Sequence, residues 1–213
     1  MIAVVSDASA YERGRAAGEL ALRSSLLDVA GNLLASEGPE ALSMRRVADA
    51  AGCSTAVLYR LFHGKHGIVA GLYREGFDRL RARLSAVQRT GDHRRDLAAL
   101  GAAYRDHALT HPSYYAVMFG RPVPQFSPTD DDVAHGRRSL EVLADAVADA
   151  QADGVLDGDD PWAVARVLWA AAHGAVSLEL AGHLTAQSGQ RTFRDLTAAA
   201  AAHVMRTQRR NGS

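Results

Sequence analysis

SMRRVADAAGCSTAVLYRLFHGK, from Ser43 to Lys65, is the stretch that decides how this chain folds. It encodes two short helices joined by a tight turn. Ala48, Gly52 and Leu58 hold the spacing of a helix-turn-helix: a small residue where two helix backbones nearly touch, then a glycine able to take positive φ and reverse the chain. Val47, Ala51, Cys53, Leu61 and Phe62 supply the apolar contacts that set the helices at a wide angle. Ser43 and Ser54 stand at N-cap positions, where a hydroxyl accepts from an otherwise orphaned amide.

With those apolar positions turned inward, Thr55, Ala56, Tyr59, Arg60 and His63 point away from the core. Such a face suits the edge of a DNA base pair. Arg60 can donate twice to guanine, and Thr55 and Ala56 can pack on a thymine methyl; a good bidentate contact is worth about 1–3 kcal/mol of discrimination. Tyr59 and Lys65 suit phosphates, which position the helix without reading sequence. Over residues 43–66 the basic residues Arg45, Arg46, Arg60 and Lys65 stand against Asp49 alone, while the whole chain balances 24 basic against 24 acidic side chains. The basic charge is therefore local, as a DNA footprint requires. Lys65 is the only lysine in the chain.

The stretch resembles the DNA-binding domain of TetR-type transcriptional regulators. The likeness runs from about Leu22 to Val69, through LLDVAGNLLASEGPEALSMRRVADAAG, CSTAVLYRLFHGK and the pair Ile68 and Val69. Gly38, Ser43, Gly52, Ser54, Leu58, Tyr59, Phe62 and Lys65 match the family pattern; Ala56 stands where glycine is common and Leu61 where histidine is usual. The resemblance implies phosphate contacts at Ser43, Tyr59 and Lys65 and a base-reading helix from Ser54 to Leu61. Further on, DPWAVARVLWAAAHGAVSLEL, with Trp169, His173 and Gly174, and HPSYYAVMF, from His111 to Phe119, resemble the ligand-sensing domain of one TetR subgroup. That implies two late helices meeting their copies across a two-fold axis as a four-helix bundle.

The rest of the chain predicts an all-α protein: a three-helix DNA-binding domain followed by a larger helical ligand-binding and dimerisation domain. Residues 1–20 have no apolar period and read as a mobile arm, from which Arg13 and Arg15 can reach a minor groove. Residues 21–66 form the helix-turn-helix domain, opened by a helix whose Leu22, Leu26, Val29, Ala30, Leu33 and Leu34 recur at helical spacing until Gly38-Pro39 stops it. A connecting segment, 67–91, is carried by a helix from Lys65 to about Val87. Residues 92–208 hold a helix closed by His111-Pro112, a short aromatic helix SYYAVMFG, and a proline-rich loop from Arg121 to Asp130 that can serve as a lid. Helices then run over about Asp130–Asp153, Pro161–Leu184 and Thr192–Thr207. No alternating pattern marks a strand.

Tyr104, His107, Tyr114, Tyr115, Met118, Phe119, Phe126, Trp169 and His173 are candidates for an effector pocket, and so aromatic a lining favours a small apolar or amphipathic molecule. Stripes on the last two helices nominate Trp162, Val176, Leu180, Phe193, Leu196, Ala200 and Val204 for a dimer interface. An apolar stripe alone does not say which surface it meets, so a core within one chain stays open.

Catalytic signatures are thin. His107 and His111 have metal-ligand spacing, but alanine follows His107 where a metalloprotease places its glutamate, and no third ligand is near. There is no nucleophile elbow, phosphate loop or dinucleotide fingerprint, and DGDD at 157–160 lacks the terminal glutamate of a calcium loop. No enzyme activity, cofactor or metal is expected. One cysteine, Cys53, fits packing in the turn and a reducing cytoplasm. No apolar run approaches the ~20 residues of a membrane span. The sequence thus predicts a cytoplasmic, ligand-responsive regulator: a repressor that binds a palindromic double-stranded operator as a homodimer and is released by a small-molecule effector. The alternative is a helical small-molecule-binding or catalytic domain carrying a non-functional helix-turn-helix.

Overall fold

A computed structural model describes residues 9–158 and 160–206, with side chains as far as Val204; residues 1–8, Asp159 and 207–213 lie outside it. The described residues form helices joined by turns and loops and contain no strand. In chain order they form α1 (Ala10–Glu37), a 3-10 turn (Pro39–Ala41), α2 (Met44–Ala51), α3 (Thr55–Phe62) and α4 (Lys65–Ser85). These are followed by α5 (His93–Thr110), α6 (Pro112–Tyr115), a π turn (Ala116–Gly120), α7 (Asp130–Ala152), α8 (Pro161–Leu180) and α9 (Ala186–Arg206).

The first departure from the sequence reading is at the start. Residues 10–20 are helix, not a mobile arm; the remainder of that arm, 1–8, falls outside the described residues. A capping box sets this start: the Ser9 hydroxyl accepts from the Glu12 amide at 3.2 Å, and the Glu12 carboxylate accepts from the Ser9 amide at 2.7 Å. The helix then needs no apolar stripe to continue, and none of its residues before Leu26 is buried. Gly38, at φ 83°, ends α1 where expected.

Two short helices follow as the turn residues dictate. Ser43 caps α2, accepting from the Arg46 amide at 3.2 Å. Gly52 closes α2 in the left-handed region (φ 65°, ψ 32°) and donates to the carbonyls of Ala48 and Asp49. Val47 and Ala48 of α2, Leu58 and Phe62 of α3, and Leu27 and Ala30 of α1 are buried in one core with Ile68, Val69 and Leu72 of α4. Cys53 packs half-buried against it. Between α3 and α4 the backbones abut: a Cβ on Gly67 would lie 1.7 Å from the Phe62 carbonyl oxygen. Only glycine fits there.

The same core runs along α4 into the second half of the chain, through Tyr73, Phe77 and Leu80, so α4 is shared by both halves. Gly136 of α7 faces the Phe77 ring, where a Cβ would meet it at 3.0 Å, and this close approach seats α7 on α4. A capping box at Thr129 and Asp132 starts α7, and Arg74 of α4 pairs with the buried Asp132. A second cluster (Ala144, Val147, Ala150, Leu156, Val164, Ala165 and Val204) fastens α7, α8 and α9 together. The expected aromatic helix after His111-Pro112 divides into the single turn of α6 and the π turn, which Arg121 leaves at φ 51°. Gly182, at φ 77°, stops α8 before Leu184, and Thr185 caps Ser188 so that α9 opens earlier than Thr192.

Candidate functional site

On the surface of α2 and α3 the structure places Arg45, Ser54, Thr55, Ala56, Tyr59, Arg60 and His63 in solvent, with Tyr59 54% exposed. Ser54 holds the N-cap backbone conformation of α3, but its hydroxyl makes no bond to the helix amides. The first turn of α3 therefore presents hydroxyls and helix N–H groups outward, at the positive end of the helix dipole.

Four cations are already engaged. Lys65 does not stand free for phosphate: it is half-buried, and its Nζ donates to the Pro39 carbonyl at 3.0 Å, tethering the start of α4 to the turn after α1. Arg60 lies 3.6 Å from Glu19 of α1, both side chains being more than half exposed. Arg46 pairs with Glu37. Arg23, which periodicity did not single out, donates from Nη1 to the Leu61 carbonyl at 2.7 Å, with its guanidinium 4.5 Å from the Phe62 ring centre. It closes the end of α3.

A cavity of about 1080 Å³ opens among α4, α5, α7, α8 and α9. Of the nine pocket candidates Tyr104, Met118, Phe119 and Trp169 line it, joined by Phe77, Leu80, Leu100, Leu140, Leu143, Leu168 and Ala172, which the aromatic criterion passed over. The other five candidates do not line it. His107 is buried against His111, the rings stacked 5.2 Å apart. Phe126 packs on Tyr73 and His66 and anchors the 121–130 loop, none of which borders the cavity. Tyr114 turns to α1. Tyr115 and His173 stand behind the cavity wall, held by hydrogen bonds. As neighbours on α6, Tyr114 and Tyr115 point about 100° apart, and an element of one turn is too short for a sequence pattern to fix which of them faces the cavity.

The wall itself is a chain of hydrogen bonds. The Trp169 indole donates to the Tyr104 oxygen over 3.3 Å. Nδ1 of His173 lies 3.0 Å from the Tyr104 hydroxyl and 2.8 Å from that of Tyr115, which is also 3.0 Å from Ser177 Oγ. Burial holds the His173 pKa below that of free imidazole and pushes both phenols up, so all three rings are neutral near pH 7. The charged residues of the lining lie apart: Arg105 is closed on Glu179 (3.0 and 2.7 Å), Asp106 pairs with Arg83, and Arg94, Arg137 and Arg194 are exposed at the mouth.

A second network joins the two halves. Tyr114 of α6 donates to Asp28 of α1 at 2.8 Å. Arg79 of α4 stacks 4.5 Å over the Tyr114 ring, pairs with Asp28 at 2.8 Å and Glu75 at 2.9 Å, and donates to Ser24 at 2.8 Å. Three helices meet at one guanidinium.

The outer face of α8 and α9 is not the one the stripe predicted. Val176, Phe193 and Val204 are buried within the protomer, and Phe193 lines the cavity. Trp162 lies half-buried under the Arg137 guanidinium, and Leu180 packs half-buried against the main core. Of the seven only Leu196 is exposed, with Ala200 half-buried beside it. The solvent stripe of α8 is instead Ala163, Val167, Ala170, Gly174 and Leu178, spaced three and four apart. Val167, Leu178 and Leu196 are exposed apolar side chains on these two helices, while Ala165, Ala172 and Ala175 of α8 are buried.

Among the described residues no group of three or more His, Cys, Asp or Glu side chains could hold a metal ion. Nor is any described helix long and apolar enough to cross a membrane.

Comparison with known proteins agrees with this architecture. Residues 26–72 match the model of bacterial regulatory proteins of the tetR family, and residues 97–206 match the tetracyclin repressor-like carboxy-terminal domain. The chain is 24% identical to the HTH-type transcriptional regulator Rv1816 of Mycobacterium tuberculosis, over 76% of this chain and 81% of that protein. The structure of a protein of unknown function from Rhodococcus sp. RHA1 superposes with a TM-score of 0.74 at 25% identity, covering 96% of this chain and all of that one. The TetR family regulator PfmR of Thermus thermophilus shares the fold, with a TM-score of 0.64 at 19% identity over 84% of this chain and 96% of that one. Together the two family models cover the helix-turn-helix head and most of the chain from α5 to α9, and the chain is a DNA-binding transcriptional regulator of the TetR family, not an enzyme.

Proposed function

We propose that this regulator is a repressor that binds a palindromic operator as a homodimer and lets go when a small, largely apolar or amphipathic molecule enters the cavity among α4, α5, α7, α8 and α9. One observation carries the reading. The cavity wall and the head are tied to the same short element: Met118 and Phe119 line the cavity just beyond α6, while Tyr114 of α6 bonds Asp28 of α1. A molecule that displaces Met118 or Phe119 pulls on the contact that seats α1. For it to weaken DNA binding it has to favour the DNA-incompetent arrangement, and couplings of about 1–3 kcal/mol are typical.

On the DNA side, Thr55, Ala56 and Arg60 read bases, while Arg45, Ser54, Tyr59 and His63 hold phosphates. Ser43 and Lys65 act from behind, capping α2 and fixing α4. A single head makes few phosphate contacts, and each contributes only about 0.9 to the salt slope. Two heads on a common axis overcome this and demand half-sites at the matching spacing. The α8 stripe around Gly174, with Leu196 and Ala199 of α9, supplies a face for that axis. Two-fold pairing is the commonest closed symmetry of soluble homo-oligomers.

Selection from random duplexes followed by gel-shift titration tests the reading. A palindrome is expected, bound with steep salt dependence by a species of twice the 22.7 kDa chain mass in sedimentation. Tight binding by a monomer, or no selected site, refutes it.

A further inference from the structure

Two hydroxyl protons compete for one lone pair behind the cavity wall. Tyr104 and Tyr115 both reach Nδ1 of His173, at 3.0 and 2.8 Å. An imidazole nitrogen offers a single in-plane site. The Tyr104 oxygen already accepts the Trp169 N–H, so what Tyr104 has left to place is its own proton, for which Nδ1 and the neighbouring Tyr115 oxygen are the acceptors within the wall. Tyr115 has an alternative in Ser177 Oγ, 3.0 Å away. Both rings are buried, and only Tyr104 of the two borders the cavity.

We propose that the cavity takes an apolar molecule bearing one uncharged oxygen acceptor, such as a ketone, ester, amide or ether, that receives the Tyr104 O–H, and that Tyr115 then takes over Nδ1 of His173. This rests on the reading of the cavity as the effector site and names its chemistry. Two arrangements matter for the ligand. In one, Tyr104 donates to His173 and Tyr115 to Ser177. In the other, Tyr104 donates to the ligand, Tyr115 donates to His173, and the Ser177 hydroxyl turns its proton onto the Tyr115 oxygen. Each pairs both phenol protons, so the exchange avoids the penalty of a buried phenol left without a hydrogen bond. His173 and Ser177 both lie on α8, so the contacts that α5 and α6 make with α8 change when the ligand arrives.

The acceptor is uncharged because nothing beside Tyr104 can balance a charge. The neighbouring wall is Trp169, Phe119 and Ala172; Arg105 is committed to Glu179, and the remaining arginines of the lining are exposed at the mouth. A buried carboxylate against neutral groups is strongly disfavoured.

Nile red tests this on the full chain. It is an uncharged apolar dye whose emission moves to the red when its carbonyl accepts a hydrogen bond. Wild type is expected to bind it with red-shifted emission. Tyr104→Phe should bind about 2- to 10-fold more weakly, the size of one neutral hydrogen bond, and emit to the blue. Tyr115→Phe should also weaken binding but keep the red-shifted emission, since Tyr104 still donates while His173 loses its replacement donor. In the double variant, Tyr115→Phe should add nothing to Tyr104→Phe. Equal affinity and emission for wild type and Tyr104→Phe overturn the acceptor assignment and leave the cavity reading standing. Additive losses overturn the exchange. Absence of binding, or binding untouched by Ala172→Trp, which fills the cavity, overturns the cavity reading itself. Should Tyr104→Phe fail to fold, the carbonyl stretch of isotope-labelled 2-undecanone bound to wild type decides: a hydrogen-bonded frequency supports the assignment and a free one overturns it.

Discussion

Arg60 is bridged to Glu19 in the structure and would meet a base edge in the proposed operator complex. Its bridge to Glu19, 3.6 Å long with both side chains over half exposed, is of a kind worth about 0.2–1 kcal/mol. A bidentate guanine contact is worth about 1–3 kcal/mol, so the base wins. Removing the competitor should show: Glu19→Gln is expected to tighten operator binding up to about five-fold at low salt, read by gel shift. An unchanged affinity would place Arg60 away from the base edge. His107 carries a different kind of constraint. Burial, reinforced by the adjacent His111, drops its pKa from the usual 6.5 to about 4, and its Nε2 has no partner. The folded protein therefore resists protonation there while the unfolded chain accepts it. The stability that neutral His107 secures is whole above about pH 6.5 and is lost at about 1.4 kcal/mol per pH unit as pH falls toward 4. His107→Leu should flatten that window, gaining about 2 kcal/mol on wild type at pH 5 relative to pH 7 in urea titrations.

At the level of elements, α6 is one turn long yet joins three helices through the hydrogen bond of Tyr114 to Asp28. Bonds to charged groups contribute about 1.5–3 kcal/mol. Tyr114→Phe should cost about that much and speed hydrogen exchange in α1 around Asp28, with α8 and α9 unchanged. Uniform loss of protection would deny α6 its local role. The elements also show what the residues alone could tell. The turn between α2 and α3 was legible because it needs special chemistry: a glycine for Gly52's left-handed backbone and a hydroxyl for the α2 cap. The beginning of α1 was missed because periodicity was the criterion, and a helix exposed on every side has none; the Ser9–Glu12 box was the available signal. On α8, alanine and valine occupy nearly every face, so the pattern has no unique phase. Choosing one stripe selected Val176 and Leu180, which pack inward, over the face of Val167, Gly174 and Leu178 that is exposed. The pocket was half legible: aromatic content pointed to the right region, but α6 and the π turn fix which rings enter, and both are too short to carry a period.

For the whole molecule, Gly174 is the informative position. A Cβ there would meet nothing within 4 Å, so the protomer has room for any side chain. Gly174→Trp should fold with nearly unchanged thermal stability, sediment at the 22.7 kDa of one chain, and lose specific DNA binding together with pairing. A variant that still pairs would move the axis off this face. The junction at Gly67 bears on how a distant signal can act at all. With the Phe62 carbonyl resting where a side chain would begin, and Arg23 holding the neighbouring carbonyl back, the reading helix and α4 travel as one solid piece. Such a lever transmits a swing without bending its tip. Effectors should therefore change how far apart the two tips stand and leave the order of base preferences within each half-site as it was.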